Sequence, residues 1–96
     1  MSPLKRKKLT KIRSELDKLD NSLIKLIKKR TNLVKKVLAI KENKNQIVDQ
    51  KRINTILRNI KKKSLKNNID PKITNRIWKN MIWSYIDYER RNFKKK

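Results

Sequence analysis

LDKLDNSLIKLIKKRTNLVKKVLAIK, residues Leu16 to Lys41, decides the fold. Leu16, Leu19, Leu23, Leu26, Leu33 and Val37 recur at the three-four spacing of one buried helix face. Arg30 falls in the middle of that face, where a leucine fits the pattern. A guanidinium is seldom buried unless something pairs with it. Lys41 lies about three helical turns beyond Arg30 and returns to nearly the same face, and Arg13 precedes Arg30 on the same helix. Three inward cations with few acids nearby point to a pocket for a small anion.

The composition removes most alternatives. The chain has 96 residues and reads as one domain spanning 1–96, with residues 1–8 and 94–96 expected to fray. A long, thin helical chain of this size buries little core alone, so an oligomer is expected. Cysteine and histidine are both absent. Disulfides, thiolate chemistry and the usual neutral-pH base are therefore excluded, and no metal site or cofactor is expected. Glycine is also absent, which excludes the glycine-rich loops that cradle nucleotide phosphates.

The formal net charge is +22. That invites nucleic-acid or membrane binding. Lysine, isoleucine and asparagine together make up nearly half the chain, however, the mark of a genome rich in A and T. The basic residues are spread along the whole length, and no basic region with a recognition helix stands out. A basic helical nucleic-acid-binding protein is kept as the alternative from another class, with nucleic acid not expected as the main partner. No apolar run approaches the roughly 20 residues that span a membrane. Met1 to Lys11 is basic without an apolar core segment, so a cytoplasmic location is expected.

Three helices follow. The first runs from about Leu4 or Leu9 to about Glu42, with Pro3 tolerated at its start. A helix that long with one apolar stripe needs a partner along its length. Asn43 to Gln46 is a polar break, and Asp49 is a good N-cap for the second helix. That helix carries Ile53, Ile56, Leu57 and Ile60 on one side and ends in Lys61, Lys62 and Lys63. Lys66 to Ile69 reads as loop, and Asp70-Pro71 starts the third helix. Its inner face carries Ile73, Ile77, Trp78, Met81, Ile82, Tyr85, Ile86 and Glu89.

Arg13 and Arg30 would lie about 25 Å apart on one straight helix, too far to grip one small ligand. Two such helices packed antiparallel could bring Arg13 of one protomer beside Arg30 of the other. Arg13 could equally be a surface arginine paired with Asp17. Arg30 and Lys41, about 16 Å apart along the axis, could lean toward a dicarboxylate between them. They could also be a snorkelling arginine and a helix-end lysine. Asp49 and Arg52 could be a cap and an exposed ion pair, or a third cation near the end of helix one. Glu89 could neutralise Arg30, or stay protonated against an apolar wall and donate a hydrogen bond.

This pattern resembles the all-helical chorismate mutase family over about Leu9 to Phe93. The resemblance rests on the Arg13, Arg30, Lys41 spacing, on Val48-Asp49-x-x-Arg52, and on Ile82 to Glu89. It implies an all-α fold of three helices per protomer with a long first helix, in an intertwined homodimer with two shared sites. It also implies a cofactor-free isomerase, chorismate mutase, converting chorismate to prephenate in phenylalanine and tyrosine biosynthesis. Arg13 of the partner protomer would hold one substrate carboxylate and Arg30 the other. Lys41 would contact a carboxylate and the ether oxygen, and Glu89 would take the place of the family's usual glutamine there. Arg52 and Asp49 would shape the mouth and the ring-hydroxyl side, while Val37, Ile82 and Ile86 would wall the ring.

The implied reaction needs no nucleophile, base or metal, which fits a chain without histidine or cysteine. Positioning and preorganised donors can carry it. Glu89 can donate only when protonated, so activity is expected to fall as pH rises. Two positions depart from the mutases. Ile53 stands where glutamate is usual, and Tyr85 where a small polar residue is usual. Both are similar to the isochorismate-pyruvate lyase branch, which shares the fold and makes salicylate and pyruvate. The mutase is the first reading and the lyase the alternative.

Overall fold

A computed structural model describes residues 1–94. The helices are α1 (Pro3–Ile40), α2 (Gln50–Lys66) and α3 (Pro71–Asn92), with a short 3-10 turn at Lys44–Gln46 between α1 and α2. The described residues include no strand. The chain divides into two compact units, Met1–Leu33 and Val34–Lys96.

The first unit is the greater part of α1. This helix starts at Pro3, so residues 3–8, expected to fray, lie in its first turns. Ser2 explains the start. Its Oγ accepts from the Lys5 amide at 3.2 Å, and its carbonyl accepts from the Arg6 amide at 2.9 Å. Both bonds satisfy amides that a helix N-terminus otherwise leaves open. At the other end of the chain, Lys95 and Lys96, also expected to fray, lie outside the described residues. The whole of α1 buries none of its residues. The stripe that marks the helix in sequence faces solvent in the single chain, and Leu16, Leu19, Leu23, Leu26 and Leu33 are each more than half exposed.

The second unit holds the core. α2 and α3 form a helical hairpin around four buried isoleucines, Ile47, Ile53, Ile82 and Ile86. Val48, Ile56, Leu57 and Phe93 pack on them at partial exposure. Asp49 caps α2 as expected, its Oδ1 accepting from the Arg52 amide at 3.0 Å. Asp70 likewise caps α3 through the Lys72 amide at 2.9 Å, with Pro71 in the first turn. α2 runs a turn beyond the expected Lys61–Lys63 end, to Lys66. Its stop lies in Asn68, whose φ of 56° is left-handed. The Ile69 amide then donates to the Ser64 carbonyl at 2.9 Å, and the Asn68 amide to the Leu65 carbonyl at 3.3 Å. This is the bonding of a Schellman end, with asparagine in the place glycine usually fills.

Ser64 ties that end to the next helix. Its Oγ lies 2.6 Å from Thr74 Oγ1 and donates to the Ile60 carbonyl at 2.6 Å. The residue is 2% exposed, so its hydroxyl depends on these partners. On α3, Ile82, Ile86 and Glu89 are buried, and Trp78, Met81 and Tyr85 are half-buried. Ile73 and Ile77 of the expected inner face remain about half exposed.

Candidate active site

Lys41 follows the last residue of α1, and its amide still bonds back to the Val37 and Leu38 carbonyls. Its side chain, within the second unit, turns toward α3. Nζ donates to both oxygens of Glu89, at 3.2 and 3.1 Å, and lies 3.5 Å from the Ile47 carbonyl. Side-chain exposure is 18% for Lys41 and 7% for Glu89. The α3 periodicity explains the carboxylate. Glu89 stands one turn beyond Tyr85 and Ile86 on the face that buries Ile82 and Ile86, so the helix carries it inward. A carboxylate that far from water needs a cation, and Lys41 supplies it. Glu89, read in sequence as a partner for Arg30 or as a protonated donor, is thus in an ion pair with Lys41.

Lys41 and Asp49 line one open concavity of about 780 Å³, together with Glu42, Gln46, Val48 and Lys51. Asp49 and Arg52 are both exposed, and Asp49 is engaged as the cap of α2. Ile53, Ile82 and Ile86 fall together in the isoleucine core. Ile53, which stands where the mutases usually carry a glutamate, is 8% exposed and brings no polar group. Tyr85 is half-buried on α3, and Val37 is exposed on the last turns of α1. Arg13 and Arg30 belong to the N-terminal unit, where Arg13 is exposed and Arg30 half-buried.

One residue of the polar break was missed as a structural element. Gln46 Oε1 accepts from the Glu42 amide at 2.7 Å and the Asn43 amide at 3.0 Å. The signal was present in the sequence. Asn43-x-x-Gln46 directly before Ile47-Val48 has the spacing of a capping box.

Among the described residues, no group of three or more His, Cys, Asp or Glu side chains gathers into a metal site. No helix among them is long and apolar enough to cross a membrane. The fold and site are therefore those of a small all-helical protein with an internal lysine–glutamate pair beside an open concavity.

The model of the family described as Chorismate mutase type II matches residues 12–90, which include Arg13, Arg30, Lys41, Arg52 and Glu89. The chain belongs to the type II chorismate mutase family. Comparison with curated proteins and with solved structures found no match.

Proposed function

We propose that this protein is a chorismate mutase that converts chorismate to prephenate. The observation that carries the reading is the Lys41–Glu89 pair, which holds one permanent donor beside a concavity within a chain of this family. In the rearrangement the ether C–O bond breaks as a new C–C bond forms, and no proton or cofactor is consumed. Catalysis then consists of folding the substrate and stabilising charge on the ether oxygen. Lys41 serves that oxygen and a carboxylate. Arg30 binds one carboxylate, and Arg13 of the partner protomer binds the other. Arg52 and Asp49 lie at the mouth. Val37, Ile82 and Ile86 form the wall against the ring.

The site is shared in a homodimer. Support comes from α1, which has no fully buried residue in the single chain and exposes its leucine stripe. Apolar area left in water costs roughly 25 cal/mol per Å², and a second α1 covers such a stripe along its full length.

Isochorismate-pyruvate lyase activity is the second reading. It is favoured by Ile53, which sits in the apolar core and brings no acceptor, and by Tyr85, half-buried on α3 just before Ile86. Purified protein should be given chorismate and isochorismate separately. Prephenate from chorismate is the expected product. Salicylate and pyruvate from isochorismate, at a higher kcat/KM, assign the lyase. Salt-sensitive DNA binding with neither turnover assigns the basic surface the main role.

Glu89 makes a prediction of its own. As a carboxylate it repels charge developing on the ether oxygen, whereas a carboxamide donates to it. Glu89→Gln is therefore expected to raise kcat/KM for chorismate above that of the native protein, whose Glu89 is a carboxylate paired with Lys41. An unchanged kcat/KM in steady-state turnover of the folded variant would remove Glu89 from the ether oxygen.

A further inference from the structure

We propose that Gln46 is a positioning residue for Lys41, acting through the turn that follows α1. The proposal rests on the role given to Lys41 above and extends it to a residue outside the ion pair.

α1 ends at Ile40 and α2 starts at Gln50, with the 3-10 turn Lys44–Gln46 between them. The amides of Glu42 and Asn43 lie just beyond the helix, and Gln46 Oε1 accepts from both, at 2.7 and 3.0 Å. Two backbone bonds close the same turn. The Gln46 amide donates to the Asn43 carbonyl at 3.1 Å, and the Ile47 amide to the Lys44 carbonyl at 3.2 Å. One carboxamide oxygen thus fastens the start of the turn to its end.

The next residue connects this turn to the site. Ile47 is 4% exposed, anchored among Ile53, Ile82 and Ile86. Its carbonyl lies 3.5 Å from Lys41 Nζ, on the ammonium that Glu89 also holds. Lys41 therefore emerges at one end of a clamped turn and directs its ammonium to acceptors at the other end and on α3. A lysine has a long stem and freely rotating donors, so its ammonium is placed only as well as its acceptors are. Glu89 holds the ammonium from α3 through both of its oxygens. The Ile47 carbonyl adds a second direction, and Gln46 holds the backbone that presents it. Gln46 also lines the concavity with Lys41, so loosening the turn moves the wall and the donor together.

The test compares Gln46→Leu, which removes the acceptor, with Gln46→Glu, which keeps an acceptor oxygen at the same reach. Two readouts are taken: steady-state turnover of chorismate, and NMR of the Lys41 ε-methylene protons with the Glu42 and Asn43 amides. A displaced catalytic donor costs up to about a hundredfold in rate, so a partial loosening is expected to lower kcat about tenfold in Gln46→Leu. KM should change less than kcat. In the same variant the two Lys41 ε-protons should merge toward one shift, and the two amides should exchange faster. Gln46→Glu is expected to restore the distinct ε-protons and most of kcat.

Unchanged Lys41 signals in a folded Gln46→Leu protein overturn the proposal, whatever the turnover. So does an equal loss of kcat in both variants with the Lys41 signals intact. If the native protein does not turn over chorismate, the reading of its function fails, yet the Lys41 signals still decide whether Gln46 positions that side chain.

Discussion

Lys41→Ala is expected to lower kcat/KM for chorismate by about a hundredfold to a thousandfold, the usual cost of deleting one preorganised donor at a developing oxyanion. It should also destabilise the fold. Glu89 keeps only 7% of its side chain exposed, and removing Lys41 leaves that carboxylate without its ammonium. Stranding one half of a buried pair costs about 3–5 kcal/mol. Lys41 retains 18% exposure, so water reaches the site and the lower end applies. A second substitution separates the two effects. In Lys41→Ala with Glu89→Gln the stranded charge is gone, and a large part of the lost stability should return without the lost turnover. Urea melts and turnover on the same samples check both parts. Turnover within a fewfold of native in Lys41→Ala would leave Lys41 with a structural role alone.

Leu19→Asp with Leu23→Asp is expected to abolish turnover and dissociate the protein. Both leucines lie on the exposed stripe of α1, at 61% and 53% exposure in the single chain. If a second α1 covers them, each contributes about 1.5–3 kcal/mol to assembly, and an aspartate there must lose its water without a partner. If the stripe is free, the same changes are mild, since surface substitutions usually shift stability by less than about 0.5 kcal/mol. Sedimentation velocity distinguishes the cases. A native dimer that becomes monomeric in the variant, with activity lost alongside, supports a shared site. A native monomer with full turnover removes Arg13 from the partner's site and returns it to the surface of α1.

The Glu89 pairing shows where sequence reading ended. Its inward direction followed from the α3 stripe, because Ile82 and Ile86 recur at helical spacing before it. Its partner did not follow. Arg30 and Lys41 both stood as inward cations, and choosing between them requires knowing where α3 lies against the end of α1. Ile53 shows the same limit from the other side. As a departure from the mutase pattern it marked a change in the pocket, but its packing against Ile47, Ile82 and Ile86 is a property of the assembled hairpin. The lysine run at Lys61 suggests an end for α2, while the stop itself is the left-handed Asn68. Asparagine is common in this chain and does not announce which copy adopts that conformation.

By itself the sequence determined three helices, the caps at Asp49 and Asp70, the leucine stripe of α1 and the family. These features depend on residues within a few positions of one another, where periodicity and capping act. The tertiary structure decided that Lys41 faces Glu89 and that Gln46 closes the turn between α1 and α2. Those contacts join distant residues or depend on one particular hydrogen-bonded turn, so they exist only once α3 has packed on α2 and the turn at Asn43 to Gln46 has formed.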